Sequence, residues 1–224
     1  MRISIAIWTA LVAIAASVAI GAHYLQFPIL HWIAKPLATL LIVAMALSLS
    51  TADPAYRRWV VIGLLWSTLG DVFLMLPGDY FLYGLLSFLV AHVGYLVAFS
   101  KRAPLFARLA PFAIYALIAG AVLAHLWPGI PAPMRIPVVV YVAALAAMAA
   151  QAAAIWVVRR DRASGLAAIG GALFMLSDSL IAFNRFGEPF EASRGMVLTS
   201  YWMAQWLIAC SIANGKHGFA ASTR

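Results

Sequence analysis

Four ionisable side chains lie inside long apolar stretches of the sequence, namely Lys35, Asp71, His92 and Asp178. A charge at the centre of a lipid bilayer costs at least about 2.5–3.5 kcal/mol, so residues of this kind are functional candidates by default. Carboxyl and imidazole groups can donate and accept protons, whereas an amine can bind an anion. The four residues are therefore the first candidates for a site of acid–base chemistry within a membrane.

Other polar residues accompany these four at helical spacing. Residues three or four apart lie on one face of a helix. Three such pairs occur: Ser67 with Asp71, His92 with Tyr95, and Tyr201 with Gln205. Ser177 directly precedes Asp178. Asn184 and Arg185 follow nearly two turns later, which places Arg185 on about the same face as Asp178.

A structural role would use the same residue types. An Asp–Lys or Asp–His pair can hold two helices together, and Tyr201 and Gln205 can form interhelical hydrogen bonds. Lys35 can extend along its helix to the outer interface, and Asn184 and Arg185 can simply end a helix. Two aspartates at a similar depth on separate helices favour the functional interpretation.

The composition defines the class of protein in which these residues lie. Of 224 residues, 65% are hydrophobic and 10% are charged, whereas soluble domains are about 45–50% apolar and about 25% charged. The chain is therefore expected to be an integral membrane protein. Its net charge of +8 comes from basic residues in short loops, which indicates membrane topology and no nucleic-acid partner. The single cysteine, Cys210, allows no internal disulfide and no cysteine metal cluster.

Eight apolar segments are long enough to cross a bilayer as helices. They cover approximately residues 3–23, 29–48, 59–77, 81–100, 105–126, 136–157, 163–184 and 194–213. No loop between them is long enough to form a soluble domain. We therefore predict an all-α bundle of eight transmembrane helices that forms one membrane domain over residues 1–224. The first segment is expected to remain as a span, because it is long for a cleaved signal peptide.

The distribution of basic residues gives an orientation to this bundle. With eight spans, both termini and the even-numbered loops lie on one side, which holds Arg2, Arg57, Arg58, Lys101, Arg102, Arg108, Arg159, Arg160, Arg162, Lys216 and Arg224. Only Arg135, Arg185 and Arg194 fall on the other side. Basic loops stay in the cytoplasm, so both termini are predicted to be cytoplasmic in a bacterial inner membrane. Asp71 and Asp178 then lie roughly 18–22 Å from the cytoplasmic end of their helices, and one cavity could contain all four ionisable residues.

Several segments together resemble one known family. They are AKPL around Lys35, LGDVFLML around Asp71, GLLSFLVAHVGYLVAF around His92, GALFMLSDSLIAFNRF around Asp178, and SYWMAQWLI around Tyr201. In order and spacing they are similar to the YhhN/TMEM86 family of membrane proteins, over roughly residues 30–210. The resemblance implies an eight-helix bundle and a lysoplasmalogenase, an enzyme that hydrolyses the vinyl-ether bond of lysoplasmalogens. Its products are a fatty aldehyde and glycerophosphoethanolamine or glycerophosphocholine.

This reaction gives roles to the candidate residues. The alkene carbon is protonated, and the resulting oxocarbenium ion adds water, which requires a carboxylic acid and a carboxylate much as in a glycosidase. The resemblance implies Asp71 and Asp178 for these roles, assisted by His92. Asp71 is the preferred acid, because Arg185 is expected near Asp178 and would keep that carboxylate ionised. The chemistry needs no metal and no cofactor.

The substrate of such an enzyme is a lysophospholipid that remains partly in the bilayer. Lys35 and Arg185 are candidates for binding its phosphate, to which arginine can bind through two hydrogen bonds. The other residues assigned to substrate binding or orientation are Ser177, Asn184, Tyr201 and Gln205. The sequence indicates no oligomeric state.

Two alternatives use the same residues differently. Intramembrane Asp, His and Lys residues also form proton relays in transporters, and Asp71 and Asp178 in similarly oriented helices hint at a parallel repeat. A proton-coupled carrier of small molecules or lipids is therefore the main alternative. An intramembrane aspartyl protease is disfavoured, because the sequences around the two aspartates lack the motifs of presenilin-like enzymes. Motifs of metalloproteases, serine hydrolases and P-loop proteins are absent from the sequence.

Overall fold

A computed structural model describes residues 4–213 of the chain, and this part is all-α, without β-strands. Its helices are α1 (Ile5–Tyr24), α2 (Pro28–Ser48), α3 (Pro54–Phe73), α4 (Phe81–Ser100), α5 (Leu109–Leu126), α6 (Ala132–Arg159), α7 (Arg162–Phe186) and α8 (Ser193–Cys210). A 3₁₀ turn, Trp127–Gly129, follows α5. Three basic residues used to predict the orientation, Arg2, Lys216 and Arg224, lie outside the described residues.

Local capping explains where α3 differs from the predicted span 59–77. Asp53 accepts a hydrogen bond from the backbone N–H of Tyr56 at 2.9 Å, and Pro54 occupies the first turn, where its missing N–H is not needed. The helix therefore begins at Pro54. It ends at Phe73, ahead of a turn in which Gly78 adopts a positive φ of 119°.

Six of the eight described helices are long and apolar enough to cross a membrane: α1, α2, α4, α5 with its 3₁₀ turn, α6 and α7. The other two, α3 and α8, also carry charged or amide side chains. Arg57, Arg58 and Asp71 lie on α3, and Arg194 and Gln205 lie on α8. Polar side chains lower the apparent hydropathy of a helix that packs inside a bundle, and both Asp71 and Gln205 are buried. Length and hydropathy thus support six of the eight predicted spans.

The helices that carry the candidate residues pack directly against one another. Helix α3 packs against α2, α4 and α8, and α7 packs against α6 and α8. Glycines allow α3 and α4 to approach closely: a Cβ atom at Gly94 would lie 3.4 Å from the backbone nitrogen of Gly63. One at Gly70 would lie 2.6 Å from Cε2 of Phe88. This approach brings Asp71 and His92 into the interior of the same bundle.

Gly70→Ala should destabilise the bundle by about 1–3 kcal/mol, because the added methyl group overpacks the contact with Phe88. The ring of Phe88 packs edge-on against Tyr201, so the displacement should also reduce activity. Gly120→Ala is the matched control, since no atom lies within 4 Å of a Cβ at that position. Thermal unfolding in detergent would measure both variants. Equal stability of the two would contradict the close approach.

Candidate active site

Asp71 lies at the centre of the first buried cluster, which joins α2, α3 and α8. Its Oδ1 atom lies 3.2 Å from the Nζ atom of Lys35. Its Oδ2 atom accepts hydrogen bonds from Thr39 Oγ1 at 3.0 Å and from the Tyr201 hydroxyl at 2.7 Å. Trp202 in turn donates from Nε1 to Thr39 Oγ1 at 3.3 Å. A buried carboxylate needs such charge and hydrogen-bond compensation, and here two neighbouring helices, α2 and α8, supply it.

Asp178 lies at the centre of the second buried cluster, which joins α4, α6 and α7. The Tyr141 hydroxyl donates to Asp178 Oδ2 at 2.5 Å. The Nε2 atom of His92 lies 3.0 Å from the same oxygen and 3.0 Å from the Tyr141 hydroxyl. His92 is fully buried, and its Nδ1 atom has no hydrogen-bond partner among the described residues. The cluster is thus a compact set of three groups that can hold and transfer a proton.

Aromatic rings separate the two clusters. Phe174 packs edge-on against His92, with ring centroids 4.8 Å apart, and also edge-on against Tyr201, at 5.6 Å. The two aspartates share no hydrogen-bond partner. Lys35 and Asp71 therefore belong to one cluster, and His92 and Asp178 belong to the other. This arrangement corrects the expectation that all four line one cavity.

A cavity of about 630 Å³ opens where α2 begins and α7 ends. It is lined by three of the predicted substrate-binding residues, Lys35, Asn184 and Arg185. His31 and Arg194, which the sequence analysis did not assign to a site, also line it. Asp71 does not line the cavity itself but lies directly behind Lys35. The cavity therefore offers several cationic or ionisable groups to an anion.

Arg185 forms an ion pair with Asp79, with Nη2 2.7 Å from Oδ2. This hydrogen bond holds the pKa of the Asp79 carboxyl below its usual range. Arg185 follows Asp178 by seven residues, about 10 Å of helix, so it reaches the loop at the mouth of the cavity. The observed pair corrects the expectation that Arg185 keeps Asp178 ionised. The buried aspartate that has a lysine or arginine beside it is instead Asp71, which forms an ion pair with Lys35.

A second, smaller cavity of about 60 Å³ lies between α4, α5, α6 and α7. Asp178 and Tyr141 line it, and most of its other walls are aliphatic or aromatic. It shares Leu74, Phe81 and Ile181 with the larger cavity. A polar cavity and an apolar cavity thus adjoin, and an acidic group faces the apolar one.

Two of the remaining predicted residues, Ser177 and Gln205, make hydrogen bonds between helices. Ser177 donates from Oγ to the carbonyl oxygen of Val197 at 3.1 Å, which links α7 to α8. Gln205 accepts a short hydrogen bond from the Tyr95 hydroxyl through Oε1. Ser67 is buried, but its Oγ atom has no hydrogen-bond partner in the described part of the chain. Ser177, Gln205 and Ser67 line neither of the two cavities.

Sequence reasoning missed Thr39 and Tyr141, although each left a signal. Thr39 follows Lys35 by four residues and so lies on the same helix face. Tyr141 is a polar residue within an alanine- and valine-rich helix, well away from the ends where tyrosines act as interface anchors. Within residues 4–213, no three His, Cys, Asp or Glu side chains are grouped closely enough to hold a metal ion.

Comparison with known proteins identifies the class of this molecule. The model of the YhhN family matches residues 30–212. The chain is 35% identical over 181 residues to lysoplasmalogenase TMEM86A of Homo sapiens, which covers 79% of this chain and 74% of that protein. It is 32% identical over 190 residues to the lysoplasmalogenase of Mycobacterium bovis, and this match covers 77% of this chain and 69% of that protein. The chain is 26% identical over 183 residues to the uncharacterized membrane protein YhhN of Escherichia coli O157:H7, and this match covers 81% of this chain and 86% of that protein.

The apolar helices and these relatives define an integral membrane protein with a buried acidic site. The chain belongs to the YhhN family, which confirms the resemblance seen in the sequence. No solved structure gives a significant match to it.

Lys35→Met should destabilise the protein by about 3–5 kcal/mol, because it leaves the Asp71 carboxylate buried without its cation. Adding Asp71→Asn removes that charge, so the double variant should be more stable than Lys35→Met alone. Unfolding of the wild type, the two single variants and the double variant in mixed micelles would give the four free energies of the cycle. The exposed pair of Arg159 and Asp161 is the matched control, and its cycle should show a coupling under about 1 kcal/mol. Additive effects at Lys35 and Asp71 would contradict the buried ion pair.

Proposed function

We propose that this protein is a lysoplasmalogenase, a hydrolase that cleaves the vinyl-ether bond of 1-alkenyl lysophospholipids to a fatty aldehyde and a glycerophospho head group. Membership of the YhhN family and the names of its relatives support this activity. The observation that carries the proposal is the position of Asp178. It is bonded to His92 and Tyr141 and lines an apolar cavity that adjoins a cationic one.

The two adjoining cavities fit the two halves of a lysophospholipid. The phosphate and glycerol would occupy the larger cavity beside Lys35 and Arg185. The first carbons of the alkenyl chain would enter the apolar cavity, and the rest of the chain would remain in the bilayer. The amide oxygen of Asn184 has no hydrogen-bond partner among the described residues, so it can accept one from a glycerol hydroxyl. The vinyl-ether bond joins head to chain and would therefore lie near the shared wall, close to Asp178.

Asp178 is the proton donor in this proposal. In it, Asp178 Oδ2 and His92 Nε2, which lie 3.0 Å apart, share one proton. Asp178 delivers it to the alkene carbon one bond away from the ether-bearing carbon. The ether-bearing carbon becomes an oxocarbenium ion, which the newly formed carboxylate stabilises. Water adds there, His92 returns the water proton to Asp178, and the hemiacetal splits into aldehyde and alcohol.

Asp71 acts by positioning Lys35. Its carboxylate is occupied by Lys35, Thr39 and Tyr201 and lines neither cavity. The geometry therefore gives less support to direct action of both aspartates on one substrate atom than to a division of roles. Holding Lys35 at the cavity wall presents an ammonium group to the substrate phosphate. The proposal thus keeps both aspartates in the enzyme but reverses the preference for Asp71 as the acid.

The same proposal places one membrane domain of eight crossing helices in a bacterial inner membrane, with both termini in the cytoplasm. The positive-inside distribution supports this orientation. Helices α3 and α8 would also cross, because Asp71 and Gln205 are hydrogen-bonded within the bundle and apolar side chains such as Leu65 and Met203 are exposed on the outside. The large cavity then opens toward the outer side. No observation favours the transporter alternative, and none of the relatives described above carries a transporter name.

Asp178→Asn should lower aldehyde formation from a lysoplasmalogen by at least about 100-fold in kcat, the size of a general-acid contribution. Asp71→Asn should mainly raise KM, because it releases Lys35. The kcat and KM of each variant would be measured from aldehyde release by the purified protein in detergent. The saturated ether lipid, which has no vinyl-ether bond, is the negative control. Thr68→Ala, whose hydroxyl bonds only within its own helix, is the control. A loss of kcat with Asp71→Asn equal to that with Asp178→Asn would instead support direct catalysis by both.

The crossing of α3 can be tested with single cysteines in a Cys210→Ser background. Ala52→Cys precedes α3 and should react with an impermeant maleimide only from the cytoplasmic side. Pro77→Cys follows α3 and should react only from the outer side. Intact cells expose only the outer side to the reagent, and inverted vesicles expose only the cytoplasmic side, so labelling both preparations tells the two sides apart. Reaction of both cysteines from one side would show that α3 does not cross.

A further inference from the structure

The charges that line the larger cavity are not all paired with each other. Lys35 is paired with Asp71, and Arg185 is paired with Asp79. Arg194 also lines the cavity and forms no ion pair with any residue of the described chain. Among the described residues, the cavity thus contains an uncompensated guanidinium, that of Arg194, and a carboxylate, Asp79, whose charged partner is the neighbouring Arg185.

The surroundings of Arg194 suit a phosphate. The residue lies at the start of α8, where the backbone N–H of Gly195 donates to the Tyr24 hydroxyl at 3.2 Å and fixes this end against α1. Arg194 acts electrostatically on His31, which also lines the cavity. The Nδ1 atom of His31 lies 2.8 Å from the carbonyl oxygen of Ala19 and donates to it, which leaves Nε2 available. Guanidinium and imidazole groups are both established partners of phosphate oxygens.

The surroundings of Asp79 suit an ammonium group. Its side chain is 69% exposed, and its bond to Arg185 is a solvent-exposed ion pair of a kind that contributes little to stability. The carboxylate is ionised at neutral pH and lines the cavity together with Tyr80 and Phe81. Aromatic faces attract cations, including ammonium groups. A ligand ammonium can therefore take the place of Arg185 or bind beside it at small cost.

We propose that Arg194 and Asp79 read the two charges of a zwitterionic head group, with Arg194 binding the phosphodiester and Asp79 binding the amine. This inference rests on the proposed function, because it assigns the larger cavity to the substrate head. It makes Asp79 a specificity-determining residue. Lysolipids with an amine-bearing head are selected over lysolipids whose head carries only negative charge.

Binding of saturated lysolipids tests the proposal without any turnover. Three saturated alkyl-ether lysolipids would be compared on the full-length protein in detergent: one with a phosphoethanolamine head, the same lipid with its amine acetylated, and one ending in phosphate. The wild-type protein should bind the first about two- to fivefold more tightly than the acetylated lipid, the range expected for one exposed charge pair. Equal binding of these two would overturn the role of Asp79.

Variants separate the two charges. Asp79→Asn should weaken binding of the phosphoethanolamine lipid about two- to fivefold relative to the acetylated lipid, whereas Arg194→Gln should weaken all three lipids. Glu188→Gln, an exposed acidic residue outside the cavity lining, is the charge-matched control and should change nothing. An equal loss for both lipids in Asp79→Asn, or no loss in Arg194→Gln, would overturn the corresponding half of the proposal.

Two further arms identify the source of the head group and separate this inference from the catalytic one. Soluble glycerophosphoethanolamine should compete only at much higher concentration than the lipid, because it lacks the chain. Competition at the same concentration would overturn the assignment to a lipid head group. Selective binding without aldehyde release would refute the proposed reaction and keep the head-group site. Aldehyde release without selective binding of the phosphoethanolamine lipid would refute the head-group site and leave the proposed reaction standing.

Discussion

Burial of two carboxyl groups is the constraint on which the rest of this bundle depends. A carboxylate in an apolar interior is stable only with a cation or several hydrogen-bond donors around it. Asp71 finds its partners on α2 and α8, and Asp178 finds its partners on α4 and α6. Because each aspartate draws on helices other than its own, the acidic residues also determine which helices can be neighbours. The chemistry and the helix packing therefore share the same contacts.

Close packing around these clusters keeps them distinct. Glycines bring α3 and α4 together, and the space that remains is filled by aromatic rings. Phe174 contacts both His92 and Tyr201, so it belongs to the environment of both aspartates without bonding to either. Such a ring keeps two charged networks from merging while leaving them within one core. Proton transfer in one cluster can then proceed without disturbing the ion pair in the other.

Much of the fold could be predicted from the sequence, because apolar length and turn residues are local signals. The fourth helix was predicted at its observed limits, 81–100. The third begins earlier than predicted, through its capping by Asp53 and Pro54, and ends earlier, at Phe73. The ionisable residues were also visible, since a charge in an apolar run is conspicuous. Their partners were not. Pairing depends on the rotation of each helix and on which helices are adjacent, and neither is encoded in a single segment.

Arg185 illustrates this limit. Its spacing from Asp178 was correct for one helix face, but a long side chain at the end of a helix reached across to the loop at Asp79 instead. The spacing of Lys35 and Thr39 on α2 placed both residues on one helix face. That this face binds Asp71 could be seen only once α3 was known to lie beside α2. Residues that act through another helix need tertiary contacts before a role can be assigned to them.

The two cavities share a wall formed in part by Leu74, Phe81 and Ile181. If the proposed hydrolysis takes place there, this wall has a consequence for the fate of the products. A bond broken at this boundary leaves a hydrophobic fragment on the lipid side and a highly water-soluble fragment on the aqueous side. The two fragments then depart into different phases. Their recombination becomes improbable by dilution, and the protein need not undergo a large opening motion to clear its site.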